Sequence, residues 1–400
     1  MNLPFYIKNC IELLEGAGFS AFAVGGAVRD SLLGLDPSDW DVTTSARPDQ
    51  ILTVFSDFRT IPTGIKHGTV TVLYEVEGEN LPIEITTYRI DGEYTDSRHP
   101  TSVEFSTDVL DDLSRRDFTV NAMAFNEKIG FVDACGGRDD LEMRIIRAVG
   151  DPEKRFSEDA LRILRAFRFS AQLGFEIEEN TLVGAYACAH LLKNIARERI
   201  GVEMKKLLAS KNVVYALEKM ISGGVWREIF GEFEPKSDVV VRLSDVGRGD
   251  FAVRLALLLD GVNEDGCACV LDSLRLSNAE KKLISRLCAV RDFDALGSDV
   301  SKNARMFLHF YGDILPKAKE IFAFYNPSCI KFFDAIDGEN AKKRPLFVSD
   351  LAIKGCDLLE ICEDDYSRVG KILKLLLDAV IEDPALNEKE KLLEIAKKSR

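Results

Sequence analysis

Histidine is scarce in this 400-residue chain. There are four in all, beside nine cysteines that are scattered, odd in number and never spaced as Cys-x-x-Cys. Cys267 and Cys269 stand alone, and so few histidines cannot complete a zinc site around them. Reduced, mostly buried thiols are the expectation. No apolar run is long enough to span a bilayer, and the longest, residues 251–259, carries Arg254. No basic-apolar-cleavage pattern opens the chain, so a cytoplasmic protein with no membrane contact and no obligate protein partner is expected. Repeats and low-complexity segments are lacking too. Positive charge is also short: 52 Lys and Arg stand against 66 Asp and Glu, a net charge of −14. That argues against a general nucleic-acid binder. It says little about one shaped RNA held in a cleft, because residues 141–210 hold 12 Lys and Arg against 10 Asp and Glu.

What is present is core-forming material for two to four domains, with 46% hydrophobic and 30% charged residues. The chemistry begins in residues 19–46, FSAFAVGGAVRDSLLGLDPSDWDVTTSA. Phe22, Ala23 and Val24 read as a buried strand, and Gly25-Gly26 as a turn where backbone can approach a phosphate. Residues 27–33 have the composition of a short helix opening at the same spot, ended by Gly34 and Pro37. Residues 40–43 begin a second strand. Alternation on a strand makes Asp39 and Asp41 project together while Trp40 turns inward. Two carboxylates beside a phosphate-binding turn form a divalent-metal site suited to phosphoryl or nucleotidyl transfer.

Residues 3–18 predict an amphipathic helix with Ile7, Ile11, Leu14 and Ala17 on one face, and residues 49–55 a short helix. Residues 67–73 and 81–88 predict strands. In the latter Ile83 and Ile85 share one face, so Glu84 is either a third carboxylate beside the aspartates or a solvent-facing side chain. Residues 91–104 are polar and predict a loop. In RRDFTVNAM, Asp117 and Asn121 are four apart and would share a face of a helical turn, where they could hold a ribose. Arg116 could grip a phosphate bidentately; alone, the cluster is surface charge. Gly136-Gly137 ends this mixed head, and the remainder reads as helical.

Residues 157–173, SEDALRILRAFRFSAQL, predict one helix with Ser157 as N-cap and Glu158-Asp159 in its first turn. At about 100° per residue, Ala160, Ile163, Leu164, Phe167 and Ala171 make its buried face. Asp159, Arg162 and Arg165 lie opposite and Arg168 at the margin. They are either ordinary i,i+3 charge pairs or a working surface facing the head. Residues 196–200 precede a further helix at 202–208. Residues 213–221 and 251–259 are helical, and 337–344 predict a loop.

Taken together, VGGAVRD…DWDVTTSA, RRDFTVNAMA, GGRDDL, EDALRILRAFRF and ARERIGVEMKKLL resemble, in order, the five motifs of the bacterial class II tRNA nucleotidyltransferases, the CCA-adding enzymes of the nucleotidyltransferase and poly(A) polymerase superfamily. The resemblance runs through residues 20–210 and more weakly to the end. It implies an α+β protein: a small mixed α/β catalytic head (1–137), a helical neck that selects the nucleotide (138–210), a helical body (211–300) and a helical, tRNA-binding tail (301–400). It implies untemplated addition of C, C and A to tRNA from CTP and ATP by two-metal chemistry, with Mg²⁺ on Asp39 and Asp41. It further implies that Gly26 and Arg29 contact the triphosphate, that Arg116, Asp117 and Asn121 bind phosphate and ribose, and that Asp159 and Arg162 meet the base edge, helped by Arg165 and Arg168.

Departures narrow this expectation. RLALLLDGV lacks the histidine of a phosphohydrolase domain, and TGIKHGTVTV stands where poly(A) polymerases carry a basic signature. DGEYTDSRHP retains the loop that CC-adding relatives have shortened, which favours full CCA addition, while CEDDYSRVG replaces a small-residue tail segment. The alternatives are a poly(A) polymerase or A-adding enzyme on the same scaffold, and a non-catalytic RNA-binding relative. The carboxylates argue against the last.

Overall fold

Ile83 and Ile85 are fully buried while Glu84 between them is exposed, the pattern of a strand covered on one side. This strand lies inside a seven-stranded mixed sheet in a computed structural model describing residues 1–399, apart from 38, 63, 77, 93–102, 248, 295–298 and 363–364. The chain forms two units, Met1–Ser244 with Ala268–Leu276, and Asp245–Cys267 with Ser277–Arg400. The expected head and neck fall within the first, and the expected body is shared between both.

The first unit opens with α1 (Phe5–Gly16), β1 (Ala21–Val24), α2 (Gly26–Leu32), β2 (Asp41–Thr44), α3 (Pro48–Val54), β3 (Arg59–Ile61), β4 (Thr69–Val76) and β5 (Glu79–Thr87). Next come β6 (Arg89–Asp91), β7 (Val103–Phe105), α4 (Val109–Ser114), β8 (Ala124–Asn126), β9 (Gly130–Val132) and α5 (Gly137–Met143). Then follow β10 (Ile145–Ile146), α6 (Pro152–Glu158), α7 (Leu161–Leu173), β11 (Glu176–Ile177), α8 (Glu179–Ala187), α9 (Arg197–Leu208), α10 (Val213–Ser222), α11 (Val225–Phe230) and α12 (Ser237–Arg242). The sheet order is β3-β4-β5-β2-β1-β8-β9, and β2 and β5 run parallel. One face, carrying Phe22, Val24 and Tyr88, packs on Leu113 of α4. The other face, with Val42, Ile83 and Ile85, meets α1 and α3. The described residues of the second unit contain helices and no strand.

Several sequence expectations change. Helix α1 stops at Gly16, and Ala17 is an exposed cap. The strand expected from 67 starts at Thr69, because Ile65–His67 is a 3₁₀ turn closed by Gly68 at φ 84°. Strands β3, β8 and β9 are three residues each, too short to show a period. At the two ends of the loop expected at 91–104, Arg89–Asp91 and Val103–Phe105 pair as strands; residues 93–100 of DGEYTDSRHP lie outside the described residues. The single helix expected at 157–173 is two, separated by Asp159 at φ −140° and ψ 103°, so Ser157 belongs to the end of α6. Residues 197–200 are the first turn of α9 rather than its approach. Residues 337–341 are helical, in Ile330–Ala341, where Glu339 is buried against Arg305. All nine thiols are free and five are buried. Among the described residues no helix is long and apolar enough to cross a membrane.

The face assignment is testable. Both tryptophans, Trp40 and Trp226, belong to the first unit, so their fluorescence during urea unfolding reports that unit. Ile85→Ala should lose about 2–5 kcal/mol and Glu84→Gln no more than about 0.5 kcal/mol. Equal losses would contradict the assignment.

Candidate active site

Antiparallel pairing of β1 and β2 sets Val24 opposite Asp41, which brings the Gly25-Gly26 turn beside the start of the aspartate strand. Gly25 holds φ 78° and ψ −136°, a conformation that side chains resist, and a Cβ there would lie 3.2 Å from Arg116 Nη1. The Arg116 guanidinium therefore lies against the turn. Parallel pairing of β2 with β5 sets Asp41 directly opposite Glu84 on one face. Glu84 thus stands beside Asp41 on one face of the sheet, and its side chain is also exposed to solvent. Trp40 is buried, as the alternation requires.

Asp41 is open to solvent on one side and crowded by protein on the other. Desolvation, with repulsion from Glu84 and Asp39, raises its pKa to about 6 against the pull of Arg116. Excess negative charge is thus concentrated where β2 begins.

Arg116 is aimed by a residue that the sequence reading missed. Asp112, fully buried on α4, accepts hydrogen bonds from Thr43 Oγ1 (3.1 Å), Arg115 Nη2 (2.5 Å) and Arg116 Nη2 (3.0 Å). The two arginines hold its pKa down in spite of burial. Its signal was present in the spacing, with opposite charges three and four residues apart. Asp117 and Asn121 do meet, with Asn121 Nδ2 donating to Asp117 Oδ1 at 3.2 Å. They are not on one helical turn: extended Phe118 precedes a 3₁₀ turn, Thr119–Asn121. Asn121 Oδ1 in turn accepts from Arg29 Nη1 at 2.7 Å, and buried Arg29 also pairs with Asp30.

On the neck, Ala160, Ile163, Leu164, Phe167 and Ala171 form the buried face as expected. The opposite charges are not a solvated stripe; they are half-buried and anchored. Arg165 donates Nε to Asp117 Oδ2 at 2.7 Å. Burial disfavours the Asp117 carboxylate, but Arg165, Asn121 and Arg162 outweigh that and bring its pKa to about 2. Arg162 donates to Glu158 Oε2 (2.7 Å), the Arg155 carbonyl (3.0 Å) and the Arg115 carbonyl (3.1 Å). With Arg155, which reaches the Ser114 carbonyl, it closes the C-terminal end of α4. Asp159 accepts from Leu161 N (3.1 Å) and Arg199 Nη2 (3.0 Å). Arg168 lies 2.8 Å from buried Glu203. Asp159 and Arg162, expected to act as a pair, are thus held by different partners. Glu158, Arg199 and Glu203 went unnoticed because partners from distant segments carry no local spacing.

Residues 21–147 match the family described as the poly A polymerase head domain, and residues 174–236 the one described as a probable RNA and SrmB-binding site of polymerase A. The CCA-adding enzyme of Ligilactobacillus salivarius is 35% identical over 99% of this chain and 98% of its own length. The chain belongs to the CCA-adding enzyme family. The CCA-adding enzyme of Anoxybacillus flavithermus is 36% identical over 97% of the chain and 95% of that relative. The crystal structure of the Bacillus stearothermophilus CCA-adding enzyme in complex with CTP superposes with a TM-score of 0.82 at 31% identity, covering 100% of this chain and 99% of that one.

Nucleotidyltransferases of the CCA-adding family generally use a divalent metal. Among the described residues no group of three or more His, Cys, Asp or Glu is arranged to hold a metal ion. The donor set at Asp39 and Asp41 nevertheless fits a hard cation that takes one or two protein carboxylates and completes its shell with water and substrate phosphates. In metal-free protein, Glu84→Gln should lower the Asp41 pKa from about 6 toward the ordinary carboxylate range, because it removes the stronger of two repulsions. Carbon-detected NMR titration of labelled aspartates measures this, and an unmoved Asp41 would separate the two side chains.

Proposed function

We propose that this chain adds C, C and A to the 3′ end of tRNA without a nucleic-acid template, using CTP and ATP and releasing pyrophosphate in the cytoplasm. The observation that carries the reading is the register setting Asp41 opposite Glu84, beside the glycine turn and Arg116. Full-length similarity to CCA-adding enzymes supports it.

In this reading Asp39 and Asp41 would hold Mg²⁺, with Glu84 opposite Asp41 on the neighbouring strand. A divalent ion held there would supply charge neutralisation for the triphosphate and activation of the tRNA 3′-hydroxyl for attack on the α-phosphate. Gly25, Gly26, Arg29 and Arg116 bind the triphosphate, and Asp117 with Asn121 the ribose side. Asp159 offers acceptors and Arg162 donors to the base edge, while Arg165 and Arg168 help to hold the nucleotide. Cytosine and adenine each present an amino donor beside a ring-nitrogen acceptor, which this pair complements. Guanine and uracil present the reverse and leave polar groups facing their like. Residues 1–137 supply catalysis, 138–210 nucleotide selection, 211–300 the body, and 301–400 the tRNA grip.

Product lengths decide the function. Purified protein with tRNAs ending before CCA, after C and after CC should add the missing residues from CTP and ATP and then stop. Long tails on unrelated RNA from ATP alone would overturn the reading in favour of a poly(A) polymerase. Asp41→Ala should lower addition more than ~100-fold while tRNA binding by filter retention stays near wild type; lost binding would make the aspartate structural. Arg162→Ala should cut discrimination against UTP and GTP by about 10–100-fold, with a smaller loss of rate with CTP. Unchanged selectivity in folded protein would refute its role at the base.

A further inference from the structure

Phe169 lies on α7 with its ring buried. Three guanidinium groups gather around it: the Cζ of Arg168 is 4.1 Å from the ring centroid, that of Arg165 5.2 Å, and that of Arg29 5.3 Å. Cations within about 6 Å of an aromatic centroid are attracted by the negative face of its quadrupole. Phe118, between Asp117 and the 3₁₀ turn, meets the same ring edge-on at 5.8 Å and 79°.

These cations come from separate places. Arg29 belongs to α2 beside the glycine turn, whereas Arg165 and Arg168 belong to the neck. Each has an anion, Asp30, Asp117 and Glu203 respectively. The anions do not meet at one point, and three like charges so close repel one another. Burial, and then Arg165 and Arg29, lower the Arg168 pKa against Glu203. Its 2.8 Å contact with Glu203 also lacks hydrogen-bond alignment, since neither Arg168 Nε nor Glu203 Oε2 has a hydrogen-bond partner. The Phe169 ring is a group that all three guanidiniums share.

We propose that Phe169 is a positioning residue for the nucleotide: its π-face gathers Arg29, Arg165 and Arg168 and holds them where they meet the substrate, without itself contacting it. This rests on the assignment of those arginines to nucleotide binding. Through Arg165 to Asp117, and Arg29 to Asn121, the same ring fixes the groups assigned to the ribose. An apolar residue of equal volume would fill the space and leave the cations ungathered.

Fluorination of the ring separates these roles, because it withdraws the π-face charge at nearly constant size. Mono-, tri- and pentafluorophenylalanine placed at 169 in the full chain should weaken CTP and ATP binding progressively, to at least ~5-fold for the pentafluoro ring, with unfolding temperature little changed. Phe169→Leu should weaken binding comparably, and Phe169→Tyr should restore it. The same step should appear in KM for both nucleotides more than in kcat. A flat binding series in protein that binds CTP normally would overturn the positioning role alone. Wild-type protein that binds neither nucleotide would overturn this role and the proposed function together.

Discussion

The ion pair between Asp117 and Arg165 is the contact on which the arrangement within the first unit depends. Asp117 is a buried carboxylate, and burial works against its charge. It stays ionised because Phe118 N, Asn121 Nδ2 and Arg165 Nε all donate to it. Three elements must therefore arrive together: the end of α4, the 3₁₀ turn and α7. A buried pair of this kind adds little net stability over a well-packed apolar substitute, since two desolvations offset the attraction. Removing one partner is different, for it strands the other charge. The pair thus acts as a register mark that lets α7 sit against the Asp117–Asn121 segment in one way.

Around that mark the charges are sorted by sign. Asp39, Asp41 and Glu84 crowd the start of β2, and burial together with that crowding raises the Asp41 pKa. Arg29, Arg165 and Arg168 crowd Phe169. The carboxylates are a local excess of negative charge, whereas each of the three arginines keeps an anion of its own. A nucleotide triphosphate with its divalent cation carries both complements, cation toward the carboxylates and phosphate toward the arginines. The chain's overall charge of −14 is consistent with such a division.

Much of this was legible because strands report themselves at short range. The alternation through Asp39-Trp40-Asp41 and Ile83-Glu84-Ile85 states which side chains turn inward, and the structure keeps Trp40, Ile83 and Ile85 buried, although β2 begins only at Asp41, one residue later than expected. The neighbour of a strand is not local information, so the pairing of Asp41 with Glu84 stayed open until the sheet order was known. Helix α7 illustrates the reverse failure. Its periodicity located the buried face correctly, yet gave no sign that Arg162 and Arg165 would be covered, because an angle on a helix does not say what packs there. Asp117 and Asn121 meet as expected but by another route: the reading assumed a helical turn, and the chain uses an extended residue followed by a 3₁₀ turn.

The break at Asp159 is the most consequential of these differences. Nothing local forces it, since Glu158 and Asp159 both suit a first helical turn and neither glycine nor proline is near. The break lets the Asp159 carboxylate cap α7 through Leu161 N and still reach Arg199 on α9. Arg162 is anchored elsewhere, to Glu158 on α6 and to the carbonyl at the end of α4. On the proposed reading, the acceptor that judges the base is therefore the extended joint itself, and the donor sits in the first turn of α7 with partners of its own. A selector built as a single rigid fork would favour one base edge. Two separately anchored groups, one at the non-helical joint and one on the helix after it, can change their spacing by a small rotation at residue 159, and an enzyme that must accept cytosine twice and adenine once needs that freedom more than it needs rigidity.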